Sequence, residues 1–127
     1  MKNVCLLALC AVAVLGTMVL VQVQPAQARP PYKKQFDAKY VKKDSSDPTE
    51  KKFAEAAEAA KCNICHVGEK KKDRNEYGMA LSKLLKKGDE KDIPKIDSAL
   101  DTVAKEASKA GPTYGDLIKE GKLPGGG

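Results

Sequence analysis

Apolar residues recur at helical spacing in four stretches of the chain, and each stretch opens on a capping signal. Asp47-Pro48-Thr49-Glu50 combines an N-cap aspartate, a proline suited to the first helical position and a box-like glutamate. The alanine-rich stretch that follows puts Phe53, Ala56, Ala57 and Ala60 on one face and runs straight into Cys62. Asn75 caps a second predicted helix over 75–87, with Tyr77, Ala80, Leu81, Leu84 and Leu85 as its stripe and Gly88 as its stop. Asp92-Ile93-Pro94 starts a third, with Ile96, Ala99, Leu100, Val103 and Ala107 facing inward until Gly111-Pro112. Thr113 and Asp116 form a capping box for a short fourth helix that carries Leu117 and Ile118 and ends at Gly121. No alternating apolar–polar run marks a strand, so the pattern predicts an all-α domain of three or four short helices over 47–123.

The flanks read differently. Residues 1–28 have a short basic start, an almost wholly apolar run over 4–23 and a small-x-small Ala26-Gln27-Ala28 site, as in a secretory signal peptide. The run approaches the length of a membrane span, so an uncleaved segment would anchor the chain at a membrane facing the periplasm. Cys5 and Cys10 lie inside it and are expected to leave with it. Residues 29–46 open with Pro30-Pro31, are lysine-rich and read as an extended or flexible arm, with Tyr32, Phe36, Tyr40 and Val41 as its large apolar groups. Residues 124–127, a proline and three glycines, read as a flexible tail.

Charge sharpens the picture of partners. The chain carries 23 basic and 17 acidic residues, and removing Lys2 with the leader leaves 22 − 17 = +5. Residues 67–74 form a charged run with Lys70, Lys71, Lys72 and Arg74 beside Glu69 and Asp73. Such a surface suits an acidic docking partner. An exported chain with so few aromatics argues against nucleic acid.

The chemistry concentrates in Cys62-Asn63-Ile64-Cys65-His66. Cys-x-x-Cys-His is the attachment signature of haem c. Two residues between the thiols, in a helical turn, set the sulfurs at the separation of two porphyrin vinyl groups. The next residue then lies under the ring, where imidazole binds iron. His66 is the only histidine in the chain. Two other chemistries share parts of the motif. A thioredoxin-like dithiol expects a βαβ pattern that is missing here, and a zinc site needs four ligands where the exported part offers two cysteines and one histidine.

With these residues the sequence resembles the c-type cytochromes, and 50–85 resembles small secreted haem proteins in which the motif is followed by Asn-x-Tyr/Phe-Gly, here Asn75-Glu76-Tyr77-Gly78. The last fifteen residues share a fainter likeness through Tyr114-Gly115, in a segment that echoes 75–81. The resemblance implies one covalent haem c per chain, held by Cys62 and Cys65, with His66 as proximal iron ligand in a cytochrome c-like fold. It implies a periplasmic, non-enzymatic carrier that passes single electrons between redox partner proteins. Two alternatives stay open: a five-coordinate haem protein that binds or senses small gases, and a thiol–disulfide oxidoreductase using the cysteine pair.

The second axial ligand departs from the familiar pattern. Carriers of this type place a methionine late in the chain, and none stands there. Met79 is the only methionine after the leader and is the candidate distal ligand. At 100° per residue it lies about 200° from Tyr77, away from the apolar stripe. A lysine, a tyrosine, a water or an open position are the other expectations.

Overall fold

The computed structural model describes residues 29–126 and places five α-helices in them: α1 (Pro30–Tyr40), α2 (Pro48–Ala60), α3 (Glu76–Leu84), α4 (Ile93–Ala104) and α5 (Tyr114–Lys119). Two short strands, β1 (His66–Val67) and β2 (Asp73–Arg74), pair antiparallel, and 3-10 turns cover Lys61–Ile64 and Lys87–Lys91. The domain is mainly α. The leader expected over 1–28 lies outside the described residues. Among the described residues no helix is long and apolar enough to cross a membrane.

The capping residues read from the sequence start the helices. Asp47 accepts the backbone N–H groups of Thr49 (2.7 Å) and Glu50 (3.1 Å). Asn75 accepts Gly78 N–H, Asp92 accepts Lys95 N–H, and Thr113 accepts Asp116 N–H. Glu50 does not reach back to close a box; its carboxylate takes Ser45 Oγ and the Lys42 ammonium instead.

Helix ends and flanks depart from the sequence reading in four places. The expected extended arm over 29–46 is helical over Pro30–Tyr40, because Pro30-Pro31 fall in the first turn, where their missing N–H groups cost nothing, and Phe36 is buried at 2% exposure. α3 stops at Leu84, ahead of Gly88. Leu85 turns extended and enters the core, while Leu84 stays 38% exposed. α4 stops at Ala104, so Ala107 is exposed and bridges Thr113. The tail is anchored: Pro124 is fully buried, and Gly125 lies against the Asn75 side chain so closely that a Cβ there would stand 2.7 Å from Asn75 Oδ1 and nearer to Nδ2.

Aromatic rings tie the elements together. Phe36 of α1 packs edge-on against Tyr77 of α3 (centroids 5.9 Å), and Tyr77 edge-on against Tyr114 of α5 (5.2 Å). Phe36 also meets Tyr40 and, from α2, Phe53. Each such pair contributes about 0.5–1.5 kcal/mol beyond the area buried. Ile96, Leu100 and Val103 of α4 complete the core. The two Tyr-Gly pairs explain their echo in the sequence. Each tyrosine enters the core, and each glycine lets a backbone carbonyl approach: Cys65 O at Gly78 and Ala104 O at Gly115.

Along its length α1 is held by polar contacts. Tyr32 OH donates to Lys86 O, Gln35 Nε2 to Asp97 Oδ1 (2.7 Å) and Tyr40 OH to Leu100 O (3.3 Å). Arg29–Glu90 (3.6 Å) and Lys39–Asp101 (2.9 Å) add ion pairs at its two ends.

Candidate functional site

α2 delivers the cysteine motif. Its last turn gives way at Lys61, whose positive φ of 50° bends the chain into the 3-10 turn Lys61–Ile64. Ile64 is buried in the core at 1% exposure, and Cys65 packs against that core from its edge. Both thiols are free and half-buried. Burial pushes the Cys65 thiol up to about 12, and the positive charges of Lys33 and Arg74 only partly offset it. Cys65 is therefore protonated and stands as a thiol.

Asn75 and Gly78 hold this turn in place. Asn75 N–H donates to Cys65 O (3.1 Å), and its Nδ2 donates to Ile64 O (2.9 Å) and Asn63 O (3.1 Å). One side chain thus caps α3 and binds the carbonyls of the motif. The sequence marks Asn75 as a cap only; its second role needs the fold.

His66 opens β1, and its Nδ1 lies 3.2 Å from Asp73 O. A carbonyl can only accept, so Nδ1 carries the proton and Nε2 keeps its lone pair. Burial lowers the His66 pKa, with Arg74 and Lys71 adding to the effect against the hydrogen bond to Asp73. The result is a neutral imidazole of fixed tautomer, the form in which histidine binds metals. The hairpin is closed by Gly68 and Lys71, both at positive φ, and Lys71 Nζ bonds Gly68 O (2.9 Å) and Asn63 Oδ1.

Cys62, Cys65 and His66 all border one cavity of about 650 Å³. That lies within the roughly 300–1,000 Å³ usual for cofactor and ligand clefts. Its apolar wall includes Phe36, Ile64, Leu81 and Leu85. Arg29, Lys33, Lys61, Lys71, Lys72, Arg74 and Lys87 supply its cationic groups, against a single carboxylate, Glu90. A flat apolar ring with two carboxylates fits such a lining: the ring takes the apolar wall and the carboxylates take the cations. The hydroxyl of Tyr77 is buried with no hydrogen-bond partner among the described residues.

Met79 is not brought to this place. It sits on the outer face of α3 at 52% exposure and does not border the cavity. Three of the four site residues read from the sequence therefore meet, and the candidate distal ligand stands apart. What the sequence missed is α1, which closes one side of the cavity through Arg29, Pro30, Tyr32, Lys33 and Phe36. The one signal it offered was the set of aromatic residues at 32, 36 and 40, spaced four apart.

No family model, no curated protein and no solved structure matches the chain closely enough to count as a relative.

Proposed function

We propose that this chain is a periplasmic monohaem c-type cytochrome, a cytochrome c-like domain that carries single electrons between redox partner proteins. The observation that carries the reading is His66: its Nδ1–H is committed to Asp73 O and its free Nε2 stands beside two free thiols on one large cavity. Cys62 and Cys65 would hold the haem through two thioethers, His66 would bind its iron, and the cations of the cavity rim would take its propionates. When bound, the haem supplies the one-electron ferric–ferrous couple. The chain's own work is to hold the ring, exclude water along Phe36, Ile64, Leu81 and Leu85, and offer a basic surface around Lys70, Lys71 and Lys72 to an acidic partner.

The test is production in a host with haem-attachment machinery. We expect one haem to stay bound through denaturation, seen by mass and by the alkaline pyridine spectrum. Cys62→Ala or Cys65→Ala leaves a single thioether, and the double variant leaves none. A chain that acquires no covalent haem would sink the proposal.

A further inference from the structure

If a haem occupies the cavity, the position opposite His66 is not filled by Met79, which stands on an exposed face. The groups that border the cavity narrow the choice. Arginine does not deprotonate and so cannot ligate, which removes Arg29 and Arg74. Lys71 is tied to Asn63 and Gly68 inside the hairpin that carries His66, on the histidine's own side. Lys61, Lys72 and Lys87 are exposed. Tyr32 has its hydroxyl committed to Lys86 O.

Lys33 is different. It borders the cavity from α1, and its side chain keeps only 26% of its exposure. Its sole partner is Asp37, one turn along the same helix, whose carboxylate is itself partly open to water. An amine that leaves Asp37 therefore strands no buried charge. α1 packs on α4 and on the Lys87–Lys91 turn, whereas the hairpin that presents His66 packs on the cysteine turn and on α3, so Lys33 and the proximal imidazole reach the cavity from separate elements.

We propose that Lys33 is the second axial ligand: its Nζ, delivered by α1 into the cavity shared with His66, closes the coordination of the iron in place of a methionine. The inference rests on the covalent haem reading above. To bind, the amine gives its proton to solvent and turns from Asp37 to the metal. α1 then acts as more than a wall, because the helix that the arm forms decides whether the site is closed or open to small ligands.

The experiment uses the full chain, haem-loaded in a host with attachment machinery, as wild type, Lys33→Ala, Lys33→Arg, Tyr32→Phe and Met79→Ala. Attached haem is counted first by mass. Ferric paramagnetic resonance, near-infrared magnetic circular dichroism and carbon monoxide binding to the ferrous form then read the ligand. We expect wild type, Tyr32→Phe and Met79→Ala to be low-spin with a nitrogen-ligand charge-transfer band. Both Lys33 variants become high-spin. They bind carbon monoxide about ten-fold faster or more, since no internal ligand has to leave first. A high-spin wild type, or Lys33 variants that stay low-spin, overturns the assignment while leaving the haem reading intact. Loss of the low-spin form in Met79→Ala assigns the position to methionine and overturns it equally. A wild type that carries no haem overturns both readings.

Discussion

Replacing Gly78 with alanine would put a methyl group 2.9 Å from the Cys65 carbonyl carbon, 3.2 Å from its Cα and closer still to its oxygen. Carbon atoms rest comfortably at about 3.5–4.0 Å, so α3 and the cysteine turn must separate by something near 1 Å. The neighbour is backbone and cannot swing away. Overpacking of this kind costs about 3 kcal/mol, at the upper end of its usual range. The retreat also weakens the hydrogen bond from Asn75 N–H to Cys65 O, worth about 1 kcal/mol. Alanine returns up to about 1 kcal/mol through its better helix propensity. The net loss is about 3 kcal/mol, which for a domain of this size lowers Tm by roughly 12–24 °C. Two other glycines calibrate the scale. At Gly115 the added Cβ would lie 2.8 Å from Ala104 O and 3.4 Å from its Cβ, a milder conflict that costs about 1 kcal/mol. At Gly88 nothing stands within 4 Å, and the change stays within about 0.5 kcal/mol. Thermal unfolding followed by circular dichroism ranks the three. If Gly78→Ala melts with Gly88→Ala, the close approach of α3 to the cysteine turn is wrong.

Asn75→Ala removes both the cap of α3 and the two amide bonds to the motif, a loss of about 2 kcal/mol in denaturant titration. Asn75→Ser keeps a cap acceptor and regains about half; full recovery would mean that the bonds to Ile64 O and Asn63 O contribute nothing. Burial, with the charges of Asp101 and Asp97 adding to it, pushes the Tyr40 phenol up to about 12 from its ordinary 10.0. The unfolded chain then loses that proton first, so this contribution to stability is whole below pH 10.0 and is lost as pH rises towards 12. Tyr40→Phe should flatten the fall of stability over that window; an unchanged slope would place the phenol in water.

The parts legible in the sequence are those set by neighbouring residues. Asp47, Asn75, Asp92 and Thr113 cap through bonds spanning two or three positions, and each starts a helix where the sequence puts it. The motif is local too, so the meeting of Cys62, Cys65 and His66 follows from its spacing. The illegible parts are fixed by distant partners. α1 has only Phe36 fully buried, and its contacts reach Lys86, Asp97, Leu100 and Asp101, so no stripe announces it. α4 ends early because Ala107 is claimed by Thr113 across a bridge, a competition that apolar spacing cannot register. Pro124 is buried although glycines follow it, because Asn75 offers the tail a surface to pack on.

Every residue bordering the cavity falls between Arg29 and Glu90, and α4 and α5 contribute none. The chain therefore divides its labour along its length. The earlier part meets whatever fills the cavity, and the later part serves as a plinth under Tyr77 and Phe36. A drifting substitution in α4 reaches the cavity only by moving those rings, so it lowers stability before it alters chemistry. Substitutions in α4 and α5 are then screened for folding alone, whereas those at Phe36, Ile64, Leu81 and Leu85 are screened for folding and for the cavity together, since these four belong to both.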